Sequence, residues 1–186
     1  MIKLISIIYK YRTYESLLSI FRRIRSCWLQ SQFKSCGNST RFEKTGLIKG
    51  FKNIIIGNQC YFAEGLHLTS WTGVRTQIDT KGTIEYKQLT PVIKIGDGCF
   101  FGAYNHITCT HSIIIGDNFL SGKWVTITDN SHGIAEASLL DTHPSLRPIY
   151  SKGPVVIGKN VWVGEKPLSS LELQSETGLL LAQILL

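Results

Sequence analysis

A six-residue beat constrains this chain more than any other feature. From Ile95 to Gly133 the segment reads IGDGCF-FGAYNH-IT, and then IGDNFL-SGKWVT-ITDNSH-G. An aliphatic or compact residue recurs at every sixth position: Ile95, Phe101 and Ile107 keep one phase, and after a two-residue slip Ile115, Ser121, Ile127 and Gly133 keep it again. A helix repeats at about 3.6 residues and an ordinary strand at about 2, so neither carries this pattern over such a span. Hexapeptides with Ile-Gly pairs predict a parallel β-helix, an all-β solenoid. Each hexapeptide forms one short flat side, three sides close a triangular coil, and the aliphatic residue points into the stack. The small residue beside it sits where the corner crowds the backbone.

The beat divides the chain. Ile56, Phe62, Leu68 and Val74 open it, and Ile157-Gly158 and Val163-Gly164 resume it late. Between the blocks, residues 75–92 and 134–154 break phase and read as excursions from coil corners. Loops of this kind are where a rigid stack carries function. The repeat domain therefore spans 51–165. Residues 31–50 are polar and glycine-bearing and read as a connector. Residues 1–30 read as an amphipathic helix, with Tyr14, Leu17, Leu18, Phe21, Ile24 and Trp28 on one stripe and Arg12, Glu15, Ser19, Arg22 and Arg23 off it. Two uses of that stripe stay open. It packs on the β-helix or a neighbouring subunit, or, with Lys3, Lys10, Arg22, Arg23 and Arg25, it rests on an anionic membrane face.

Composition narrows the classes. A chain of 186 residues with 43% hydrophobic content can bury one core. A net charge of +7 points to an anionic partner, but the basic residues are scattered and carry no nucleic-acid-binding motif. Five cysteines, odd in number and without a CxxC, indicate neither a disulfide framework nor a zinc site. They suit free thiols in a reducing cytoplasm. No apolar run is long enough to span a bilayer, and Tyr9, Lys10, Tyr11 and Arg12 interrupt the start in a way a secretory signal does not. The expected location is cytoplasmic, with the inner membrane face open through the helix.

After Glu165 the beat stops, and residues 166–186 (KPLSSLELQSETGLLLAQILL) look unlike the rest. A shift of one base permits its return, given free third bases. If each codon takes the third base of the preceding codon and two bases of the next, a TCN codon for Ser175 becomes Ile or Val, because Gln174 ends in A or G. Thr177 and Ile184 likewise become Asn or Asp. The permitted reading contains L-P-G, then (I/V)-G-(N/D)-G, then (I/V)-G-A-(N/D)-S-V. Its aliphatic positions at 169, 175 and 181 extend the phase of Ile157 and Val163 without a slip. The expectation is a frameshifted, non-repeat tail beginning near Lys166.

The segments ITDNSHG (127–133) and HPSLRPIYSKGPVVIGKNVWVGE (143–165), with the N-terminal helix, carry a resemblance. Over roughly residues 50–165 the chain resembles the hexapeptide-repeat acyltransferases, whose β-helix is left-handed. Within them it is similar to the branch that O-acetylates sugars during surface-polysaccharide assembly. The resemblance implies a homotrimer with active sites between subunits, acetyl-CoA as cosubstrate, a sugar acceptor, one catalytic histidine and no metal. That histidine is His132, at a coil corner beside the second excursion, where imidazole suits a base working near neutral pH. Asp129 in the same turn either orients the imidazole or caps the corner. Asn105 is the candidate for the family's acceptor-holding asparagine, with His106 and Arg147 as further acceptor or cofactor contacts. Gly164 and Glu165 match the segment bordering the pantetheine arm. The family's C-terminal coils form much of the cofactor groove, so a tail without them implies weak acetyl-CoA binding. A catalytically impaired remnant, a trimeric scaffold of the same fold, and an N-acetyltransferase on an amino sugar nucleotide are the alternatives. The nucleotide sequence of the gene's last third tests the frameshift: third bases that spell Ile-Gly or Val-Gly at positions 175–176 and 181–182 are expected, and third bases that forbid it end the idea.

Overall fold

The computed structural model describes residues 11–78, 84–132, 141–143, 147–151, 153–165 and 168–170. Helix α1 (Tyr11–Gln30) comes first. Strands then arrive in triplets. The first is β1 (Ser35–Cys36), β2 (Arg41–Phe42) and β3 (Ile48–Lys49), and the second is β4 (Ile54–Ile56), β5 (Tyr61–Phe62) and β6 (His67–Ser70). An antiparallel ribbon, β7 (Gly73–Ile78) with β8 (Ile84–Gln88), leaves the stack here. The third triplet is β9 (Val92–Ile95), β10 (Phe100–Phe101) and β11 (His106–Cys109), and the fourth is β12 (Ser112–Ile115), β13 (Leu120–Ser121) and β14 (Thr126–Thr128). A second antiparallel ribbon, β15 (Ser131–His132) with β16 (Ile149–Tyr150), precedes β17 (Val155–Ile157), β18 (Trp162–Val163) and β19 (Leu168–Ser170).

The three members of each triplet go to three different five-stranded parallel sheets. Sheet 1 runs β1-β4-β9-β12-β17, sheet 2 β2-β5-β10-β13-β18, and sheet 3 β3-β6-β11-β14-β19. Where no ribbon intervenes the step between paired residues is 20, as in Ser35 with Ile55, Phe100 with Leu120 and His106 with Thr126. This arrangement, mostly parallel sheets behind one N-terminal helix, is consistent with a β-helix-like all-β fold.

The hexad positions make the core. Ile56, Phe62 and Leu68, then Ile95, Phe101 and Ile107, then Ile115, Ser121 and Ile127 are all buried, one on each sheet in turn. On sheet 2 the Phe42, Phe62 and Phe101 rings form a column, with centroids 4.6 Å and 4.8 Å apart and planes within 3° and 8° of parallel. Ser121 occupies the next place in that column, and Phe119 leans in beside Phe101 at 5.2 Å. Glycines sit where successive levels come closest. A Cβ on Gly116 would lie 2.7 Å from the Gly158 carbonyl and 2.8 Å from the Lys159 amide nitrogen, backbone atoms that cannot yield.

The structure moves several boundaries. The connector expected at 31–50 is the first triplet: Phe42 is in the core, and Cys36 and Ile48 pack against it. Val74 does not continue the beat but lies in β7, so the first excursion starts at Gly73 and ends before Val92. The second begins at Ser131. Past Glu165, Leu168–Ser170 still pairs with β14, Ser169 opposite Ile127. Residues 1–10, Gly133, most of 134–146 and the tail beyond 170 lie outside the described residues.

Helix α1 turns Ser26 and Leu29 to the body, and Gln30 donates to the Thr40 carbonyl at 2.6 Å. Most of the apolar stripe does not pack on the sheets: Tyr14, Leu17, Phe21, Ile24 and Trp28 are 49–67% exposed, and only Leu18 is half-buried. The five cysteines are unpaired, and Cys60, Cys99 and Cys109 are buried. Phe62→Ala is expected to lower the unfolding free energy by about 3–5 kcal/mol in denaturant titrations. Lys94→Ala, on the outer surface of sheet 1, should stay within about 0.5 kcal/mol of the parent. Equal effects would contradict the column.

Candidate active site

Both ribbons leave the stack at the same corner, where sheet 3 hands the chain back to sheet 1. The first follows β6 and the second follows β14, and β16 comes close to β7. A cleft of about 560 Å³ lies between these ribbons and the outer surface of sheet 3.

Alternation along the short strands decides what the floor presents, because successive residues point to opposite faces. In β6, β11 and β14 the inward residues are Leu68, Ile107 and Ile127, each about fully buried. The outward neighbours register as two rows: His67, His106 and Thr126, and then Thr69, Thr108 and Thr128. Elsewhere the outer surface differs, with Ile114 and Val156 exposed on sheet 1. The floor is thus a grid of hydroxyls and imidazoles. Trp71 and Gly73 from the first excursion and Ser131, His132 and Ile149 from the second complete the lining. The Trp71 indole N–H donates to Thr69 Oγ1 at 3.2 Å, and the Lys49 ammonium lies 4.7 Å from the Trp71 ring centroid.

His132 is exposed within this cleft, carried on β15 opposite Ile149. His67 and His106 meet edge to face, with centroids 5.8 Å apart. Burial first, and then the charge of His67, holds the His106 imidazole below its ordinary value of 6.5. A neutral imidazole can accept as well as donate a hydrogen bond, so His106 suits a hydroxyl-bearing ligand.

Asp129 has a different task. The corner after β11, like the one after β3, is two residues longer than the corners within a triplet, which accounts for the slip in the beat between Ile107 and Ile115. It turns the Thr110, His111 and Ser112 amides inward, and the fully buried Asp129 carboxylate accepts from them at 2.8, 2.7 and 2.9 Å. Asn130 Nδ2 and the Cys109 thiol also donate to it. Burial works to raise its pKa, but the hydrogen bonds from Asn130, Thr110 and His111 prevail and hold it below 3.8. Asp129 caps the corner; both its oxygens are committed there rather than to the imidazole.

Asn105 also departs from expectation. It is buried, donates to Ser121 Oγ and accepts from the Val125 amide at 2.7 Å. Its amide is committed to the buried Ser121 hydroxyl and the Val125 amide, and it is not among the residues lining the cleft. His106 does line the cleft, whereas Arg147 donates to the Thr142 carbonyl at 3.0 Å and His111 is exposed outside it. Gly164 and Glu165 follow β18; among the described residues nothing lies within 4 Å of a Cβ built on Gly164. The structure thus joins His132 to His106 and leaves Asn105, Asp129, Arg147, Gly164 and Glu165 outside the lining. Sequence reasoning missed His67 and Trp71. The signal for the first was present: His-x-Thr at 67–69 recurs at 106–108, and Thr-x-Thr stands at 126–128.

No group of three or more His, Cys, Asp or Glu among the described residues could hold a metal ion. Comparison with known protein families, with curated proteins and with solved structures finds no match.

Asp129→Asn should cost at least about 2 kcal/mol at neutral pH, since it turns a donor toward buried amides. The sign of the pH effect follows from the depressed carboxyl. Its stabilisation is complete above its ordinary 3.8 and is lost as pH falls through its lower folded value. Denaturant titrations should therefore show the gap between parent and variant closing as pH drops well below 3.8. A gap independent of pH would contradict the cap.

Proposed function

We propose that this chain is a left-handed parallel β-helix of hexapeptide repeats whose cleft receives a sugar hydroxyl for acetylation by acetyl-CoA. The reading extends to surface-polysaccharide or lipopolysaccharide biosynthesis and to a homotrimer, in which a neighbouring subunit completes the cofactor groove near Gly164 and Glu165. The observation that carries it is His132, exposed in a cleft whose floor is two rows of hydroxyls and imidazoles. Such a floor offers paired donors and acceptors, and the Trp71 ring adds a flat apolar surface of the kind a pyranose face stacks on.

In this mechanism His132 takes the proton from the acceptor hydroxyl as its oxygen attacks the thioester carbonyl. The tetrahedral oxyanion collapses, the C–S bond breaks, and the departing CoA thiolate takes the proton back from the imidazolium. Because the thioester is already activated, no covalent enzyme intermediate is needed. A positioned base of this kind contributes about 10²–10⁴-fold. His67 and His106 hold the acceptor, and the ribbon β15–β16 sets the height of His132 above the floor.

The test is CoA release from acetyl-CoA by the full chain across a panel of sugars and amino sugars. The expected result is acetyl transfer to a hydroxyl, lowered about 10²–10⁴-fold by His132→Ala with the circular dichroism unchanged. Transfer that is indifferent to His132 would overturn the base. Absence of turnover in the parent chain would favour a non-catalytic scaffold, and transfer to an amine alone would change the acceptor class.

A further inference from the structure

We infer that the outward face of α1 docks this protein on an anionic lipid surface. Each helical residue turns the chain by about 100°. On that wheel Ile20, Ile24, Leu17, Trp28, Phe21 and Tyr14 span an arc of about 120° that holds one polar residue, Thr13, and no charged one. All six are exposed, Phe21 the most at 67% and Tyr14 the least at 49%. The helix is held to the body by a different side. Ser26 and Leu29 are buried there, the Arg25 guanidinium donates to the Glu43 carbonyl, and Arg22 Nε lies 3.9 Å from Glu43 Oε2. That side is centred about 140° round the helix from the apolar arc. The body therefore fixes the helix with its apolar face pointing away.

Charge decides between the candidate occupants. The arc includes the spacing 14, 17, 21, 24, 28, which a second copy could use as a helix–helix seam. Against that, α1 carries Arg12, Arg22, Arg23 and Arg25 against the single acid Glu15, so paired copies would bring together two helices that are each net positive. An anionic surface reverses the sign of that term, and the whole chain at +7 adds to the attraction. A broad apolar arc with arginines off it, and rings near both ends of the helix, Tyr14 and Trp28, is the form of a helix lying in the membrane interface. Among the described residues no helix is long and apolar enough to cross a bilayer. This inference is independent of the chemistry assigned to the cleft.

The experiment is flotation of the full chain with vesicles of phosphatidylcholine alone or mixed with phosphatidylglycerol, with light scattering for oligomeric state. The parent should float with the mixed vesicles, release as salt rises, and leave pure phosphatidylcholine vesicles largely unbound. Phe21→Glu with Ile24→Glu should lower partition by at least about tenfold, with far-UV circular dichroism and oligomeric state unchanged. Arg23→Gln, which alters charge off the arc, should lower it about fivefold. Failure to float with phosphatidylglycerol, equal flotation with both compositions, or flotation unaffected by the double variant would each overturn the proposal. A double variant that dissociates an oligomer while partition stays unchanged would assign the face to a second copy instead.

Discussion

Hydrogen bonding between consecutive levels is the constraint on which everything else in this structure depends. Parallel strands only two to four residues long cannot slip, because each residue's amide and carbonyl must meet their counterparts one level away. The amides of Gly57, Gly96 and Gly116 donate to Ile95, Ile115 and Ile157, all at 2.8–2.9 Å. A level with an extra residue inside a strand would break that ladder on all three sheets. Added residues must therefore leave at a corner, and both ribbons do so at the same one. The cleft follows from that choice: two excursions from one corner, two levels apart, overhang the surface of sheet 3.

Within the stack the same constraint sorts side chains. Positions paired across levels repeat their chemistry, since what fits at one level has a near-identical neighbour above and below. Inside, this gives the aromatic column from Phe42 to Phe101. Outside, it gives the two rows beneath the cleft. Where a residue departs from its row, another compensates. Ser121 replaces an aromatic, and Asn105 supplies the partner that a buried hydroxyl requires. Asp129 plays the same part at the widened corner, one carboxylate answering three amides.

Much of this was legible from the residues. The hexad pinpointed the core on the second, third and fourth triplets because Ile-Gly pairs mark both the inward residue and the crowded corner. The first triplet escaped because Cys36, Phe42 and Ile48 keep the beat with polar and charged neighbours, which read as a connector. Val74 kept phase by coincidence in a ribbon, since a period of six also satisfies simple alternation over a few residues. At the site, His132 was visible from its turn. Asn105 was misplaced, and Asp129 was left between two tasks, for one reason: a polar residue near a corner can face the cleft or the stack, and only alternation counted from the nearest inward residue decides. His67 and Trp71 needed two stretches 39 positions apart to be laid side by side, which a single pass along the chain does not do.

The helix stands apart from this logic, since its position owes little to register and its apolar side finds nothing among the described residues to cover it. The stack itself rests on one claim, that residues far apart in sequence lie directly above one another. Proton contacts between phenylalanine rings, read by NMR on a selectively phenylalanine-labelled chain, address it directly. Phe62 should show ring contacts to both Phe42 and Phe101, and single Phe→Leu substitutions should assign them. A Phe62 ring without contact to Phe101 would contradict the stacked levels and the cleft built on them.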